Sequence, residues 1–193
     1  MVRHHNPILK VNNLSHIPGI DYGDLPVVPG NIKETFRLIE EGLTSLLEPG
    51  LLPVCLGGDH SITLGELRVV AKKYGPVALV HFGSHAGTHD ESFVLKYNHG
   101  TPFRWAIREG ILDMDHFISV GMSGSMYRID EVKDSLDLDL SVITAEEMGQ
   151  MSIIWAALSR SFRLWCLGRS FLPQICLCRG GLCLSRLNEA ACG

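Results

Sequence analysis

No apolar run in the chain approaches the roughly 18–20 residues that a bilayer-spanning helix needs, so no membrane partner is expected. A basic excess is missing too. The 17 Lys and Arg are outnumbered by 21 Asp and Glu, and the net charge of −4 speaks against a nucleic-acid partner. The start, MVRHHNPILK, lacks the apolar centre of a signal peptide, which makes the cytosol the expected compartment. Cysteine is almost absent until late. Cys55 stands alone, while Cys166, Cys176, Cys178, Cys183 and Cys192 all fall in the last 28 residues. That distribution fits neither a disulfide framework nor a paired CxxC zinc site.

What is present suits one folded domain: 193 residues, 46% apolar and 20% charged. Asn31 can cap a helix, with Glu34 three residues on as its reciprocal partner. Ile32, Phe36, Ile39, Leu43, Leu46 and Leu47 then keep to one face, and EPG at 48–50 ends the run. LLPVCLGG reads as a short buried strand and ITLGELRVVAKKYG as a helix ending at Gly75. PVALVHF is a second buried strand, and TPFRWAIREGI a short helix with Pro102 in its first turn. HFISVGM is a third strand, IDEVKDSLD a helix, DLSVI a fourth strand, and TAEEMG a helix start capped by Thr144. Alternating strands and helices of this kind predict an α/β fold. Its parallel sheet is covered by helices on both faces, with ligands at the carboxyl ends of the strands.

The pattern breaks near residue 150. Residues 1–150 carry twelve Lys and Arg against twenty acids; residues 151–193 carry five Arg, no Lys and one acid. Ile153 to Leu167 can form an amphipathic helix, and the rest of the tail shows neither period. Two segments follow from this: a domain over 1–150 and an aberrant Cys- and Arg-rich tail over 151–193, read as a shifted frame or foreign terminus. Cys176, Cys178 and Cys183 could hold a soft metal, but their spacing matches no recognised zinc pattern. The interleaved arginines and aromatics of the tail are read as part of the same aberrant terminus, not as a membrane or nucleic-acid surface.

Three histidine motifs sit at strand ends. LGGDHSIT places His60 after a glycine pair, beside Asp59. HFGSHAGTHDE carries His81, His85 and His89, and KYNHGTPF carries Asn98 and His99. In this order, with IDYGDLPVVPGNI, YNHGTPFRWAIREG and ISVGMSGS, the chain resembles the ureohydrolase family of arginases and agmatinases over roughly residues 3–149. The agmatinase or guanidinobutyrase branch is the nearest likeness.

The resemblance implies a three-layer arginase-like sheet, incomplete here, and two Mn²⁺ ions per subunit bridged by a hydroxide. Mn²⁺ favours carboxylate together with imidazole. The pair activates water against the carbon of a small guanidine such as agmatine or guanidinobutyrate. Urea leaves and an amine such as putrescine remains. Carried over, His60 and His85 are metal ligands, and Asp59 is a carboxylate that orients His60 from behind. Asn98 and His99 contact substrate, with His99 as the proton shuttle.

The chain departs from the pattern. The family's Asp-x-His-x-Asp reads here Gly83-Ser84-His85-Ala86-Gly87, and glycine has no side chain to coordinate a metal. The later aspartate pair of the family has no counterpart after residue 150, and Ser123 stands where an arginine is usual. The expected function is therefore an agmatinase-like hydrolase, impaired or inactive. The rival is a non-catalytic subunit of a homo- or hetero-oligomer, or a decayed gene product. His81 reads as a satisfied core or edge histidine. His89 and Asp90 read as solvated loop residues, and Glu146 and Glu147 as first-turn helix charges.

Overall fold

In the computed structural model the described residues are 5–6, 8, 10–12, 19–47, 51–90, 95–123, 138 and 140–150, together with the strand backbones of 174–178 and 181–186. The elements run β1 (His5–Asn6), β2 (Val11–Asn12), α1 (Ile32–Leu47), β3 (Val54–Leu56), α2 (Ile62–Tyr74), β4 (Val77–Phe82), α3 (Pro102–Arg108), β5 (Leu112–Met122), β6 (Ser141–Thr144), α4 (Ala145–Gln150), β7 (Gln174–Cys178) and β8 (Gly181–Arg186). The segments IDEVKDSLD and Ile153 to Leu167 lie outside the described residues. No helix among the described residues is long and apolar enough to cross a membrane.

Helix α1 forms as its periodicity requires. Phe36, Ile39, Leu43 and Leu47 are buried, with Ile32 and Leu46 partly so. Asn31 caps it, its Oδ1 accepting the Glu34 backbone N–H at 3.2 Å. The reciprocal half of the expected box is not made. The Asn31 N–H donates to the Val28 carbonyl at 3.0 Å, and the Glu34 carboxylate instead accepts from Arg37, one turn on. Helix α4 does carry the full box. Thr144 Oγ1 accepts the Glu147 N–H at 3.2 Å, and Glu147 Oε2 accepts the Thr144 N–H at 2.8 Å. Glu147 is thus a capping group, not only a charge near the helix dipole.

Six strands form one sheet in the order β3-β7-β8-β4-β5-β6. The pairs β4–β5, β5–β6 and β3–β7 are parallel, as the alternating pattern predicts. The β7–β8 hairpin is a difference. It pairs antiparallel within itself and against β4, filling the sheet between β3 and β4 with residues whose sequence shows no clean period.

Alternation along β4 sorts the two faces. Val77 and Leu79 join α1, α2, α3 and Phe117 in the larger core. Ala78 and Val80 join Ile118, Val120 and Ile143 on the other face, against Met148 of α4. Helices therefore cover both faces, but unequally. Strand β3, expected to be buried, is an edge strand, with Val54 54% and Leu56 77% exposed. The only described helix on that face, α4, lies over β5 and β6 at the far end, so no described helix covers β3 there.

Candidate functional site

The carboxyl ends of β4 and β5 meet. Gly83 donates its N–H to the Val120 carbonyl at 3.0 Å, and Ser123 donates to the Ser84 carbonyl at 3.1 Å. Strand β3 stands three strand spacings from β4, about 14 Å at the usual separation. Even so, the His60 ring centroid lies 5.1 Å from that of His81, at an interplanar angle of 20°. The turn 57–60 makes the crossing possible. A Cβ at Gly57 would lie 2.0 Å from Ile62 Cδ1, so a side chain there would have to displace the Ile62 side chain at the start of α2.

His60 and His81 are both buried, and Phe103 meets them edge-on at 5.1 and 4.8 Å. His81 is fully enclosed. Its Nδ1 lies 2.9 Å from Ser119 Oγ, while its Nε2 has no hydrogen-bond partner. The expected satisfied histidine is therefore a core residue satisfied on one side only. Burial pushes the His81 imidazole well below its ordinary pKa, and the neighbouring His60 and His85 push it the same way. It is neutral at physiological pH.

His85 is exposed, with Nδ1 2.9 Å from Ser84 Oγ. Asp59 is exposed and accepts the Ser61 backbone N–H at 2.7 Å, which gives it a turn-closing task of its own. Asn98 is a loop organiser. Its Oδ1 accepts the Gly100 N–H at 2.8 Å, and its amide nitrogen donates to the Leu95 carbonyl at 2.9 Å. His99 beside it is exposed. Asp90 is not simply solvated, since it pairs with Arg104 at 3.3 Å and Arg108 at 2.5 Å on α3.

Gly87 is the informative position. Its φ is +67°, and a Cβ there would lie 2.9 Å from Phe103 Cδ2. Its carbonyl accepts the N–H of Phe103 at 3.0 Å and of Arg104 at 3.4 Å, at the start of α3. A position that resemblance assigns to a metal-binding carboxylate therefore serves here as a backbone acceptor. Among the described residues no three His, Cys, Asp or Glu side chains converge in a way that could hold a metal ion. The donors present, imidazoles without a carboxylate, do not fit a pair of hard Mn²⁺ ions.

The model of the Arginase family matches residues 2–163. The chain belongs to the arginase family. The match reaches past residue 150, into the segment that composition sets apart. Mitochondrial agmatinase of Gallus gallus is 37% identical over 154 residues, covering 80% of this chain and 45% of that protein. Guanidinobutyrase of Pseudomonas aeruginosa is 36% identical over 153 residues, covering 79% of this chain and 48% of that protein. Among solved structures, proclavaminate amidino hydrolase from Streptomyces clavuligerus superposes with a TM-score of 0.73 at 28% identity, over 81% of this chain and 52% of that one. This arginase-family chain thus spans about half the length of the curated relatives it matches.

The sequence located the strand ends that carry the site, and the fold places His60 and His85 there. The His60–His81–Phe103 ring cluster was missed. Its one signal was parity along β4, which puts His81 on the same face as Leu79 and so towards α2 and α3.

Proposed function

We propose that this chain is an agmatinase-type ureohydrolase in ancestry, whose hydrolysis of a linear guanidine such as agmatine or guanidinobutyrate is strongly impaired. The observation that supports this reading is the pair Gly83 and Gly87 flanking His85, the second held left-handed with its carbonyl committed to α3. Hydrolysis of a guanidinium needs a nucleophile, and a two-metal site supplies one by acidifying a bridging water. Loss of carboxylate donors weakens that supply at its source. His60 and His85 remain as imidazole donors, and His99 and Asn98 remain beside the strand ends.

The test is urea release from a panel of agmatine, guanidinobutyrate and guanidinopropionate, with and without added Mn²⁺. The expected result is little or no Mn²⁺-dependent urea. Turnover in the range ordinary for enzymes, roughly 1–10³ per second, would refute the reading.

A second reading, a non-catalytic subunit, draws on the exposed apolar edge at Leu51, Leu52, Val54 and Leu56. Solvent-exposed edge strands are templates for pairing with another chain. Light scattering that gives a monomer mass at all working concentrations would remove its homo-oligomeric form. Failure to bind an intact family member would remove the other.

A further inference from the structure

The enclosed histidine on β4 has no assigned task, yet it is built with care. His81 pairs with Ser119 across the β4–β5 register, and that side-chain contact ties its ring to the centre of the sheet. Ser119 is itself buried, as is Phe103. Phe103 packs in turn on Phe117 at 5.3 Å, so three elements hold the cluster: β4, β5 and α3. His60 comes from a fourth, the loop after β3, which must cross two strands to arrive. A residue at the end of such a crossing needs a fixed surface to set its ring. His81 supplies a face and Phe103 an edge.

The buried Nε2 of His81 points the same way. An unsatisfied buried polar atom is costly, and a residue chosen only to fill space would carry no such atom. Phenylalanine or leucine would fill this site without the penalty.

We propose that His81 is a positioning residue for His60. Anchored by Ser119, it fixes the place and ring orientation of the His60 imidazole, while Phe103 packs edge-on beside it. The assignment rests on the reading of His60 as a metal-site residue only for its functional consequence. The positioning itself is a property of the metal-free chain.

The experiment has two arms on the full chain, with His81→Phe and Ser119→Ala as variants. The first keeps a ring but loses the anchor; the second removes the anchor alone and is the milder change. In the metal-free arm, ¹⁵N–¹H correlation spectra of the histidine rings are recorded. The expected result is one sharp tautomeric state for His60 in the parent chain, broadened or shifted in both variants. In the metal arm, Co²⁺ is titrated as a probe and its visible spectrum followed. The described donors converge in no group that could hold a metal ion, so no Co²⁺ band is expected from the parent or from either variant.

Unchanged His60 resonances in both variants, with only a loss of thermal stability, would overturn the proposal, because His81 would then be mere packing. Absence of Co²⁺ uptake leaves His60 without a ligand role in this chain, and the ring spectra alone decide the positioning.

Discussion

Gly87→Ala offers a sharp test of the site's geometry. Two costs add at this position. The backbone sits at φ +67°, where an L side chain costs about 1–2 kcal/mol relative to glycine. The new Cβ also meets Phe103 Cδ2 at 2.9 Å, Phe103 Cε2 at 3.3 Å and Pro102 Cγ at 3.5 Å. Phe103 cannot swing freely, since its ring is enclosed by His60, His81 and Phe117. Forcing it off its rotamer adds roughly 0.5–1.5 kcal/mol. The sum is about 1.5–3.5 kcal/mol.

Gly110 provides the control. Its φ is also +67°, but nothing lies within 4 Å of an added Cβ. Gly110→Ala should therefore carry the backbone cost alone, about 1–2 kcal/mol. Urea denaturation of the two variants measures the difference, with an unchanged slope confirming that only stability has moved. Equal destabilisation of both, or a Gly87→Ala variant within about 0.5 kcal/mol of the parent, the ordinary range for an unconstrained surface change, would refute the packing described around Phe103.

Acid should weaken the fold through His81. Its folded pKa lies below the unfolded value near 6.5, so its contribution is fully present above that pH. As pH falls, the unfolded chain takes up a proton that the folded one refuses, and stability drops by up to about 1.36 kcal/mol per pH unit. Chemical denaturation of the His81→Phe variant between pH 7 and 5 should show a shallower slope than the parent; identical slopes would count against the neutral, buried histidine. At the start of α4, Thr144→Ala removes one half of a complete capping box and should cost about 1 kcal/mol, read from the urea midpoint. A neutral result there would mean that the box contributes nothing to stability.

How much of this was legible in the sequence varies by element, for physical reasons. Helix α1 announced itself because Phe36, Ile39, Leu43 and Leu47 repeat at the helical period and one face is buried. Strand β4 was legible because both of its faces are covered, which demands a continuous apolar run. The run around Val54 looked identical, yet β3 lies at an edge, and local sequence does not record which strands become neighbours. The reciprocal task expected of Glu34 failed because Arg37, one turn away, competed for the same carboxylate. The hairpin β7–β8 had no period to read. At the site, motif order alone located His60 and His85. The task of His81 needed the third dimension, because its partners Ser119 and Phe103 come from later strands and helices.

The place of that hairpin bears on how the chain reaches its folded state. Among the described strands, β3 joins the sheet through β7 alone and β7 pairs onward through β8 alone, so the register of residues 54–56 waits on residues 174–186. Closing a loop of that length costs conformational entropy before any contact repays it, and such long-range pairings form slowly. On the ribosome, β4, β5 and β6 can assemble with α2, α3 and α4 while β3 still has no strand beside it. An exposed apolar edge would then persist until residues 174–186 emerge, and this interval is when the nascent chain is most exposed to association with its neighbours.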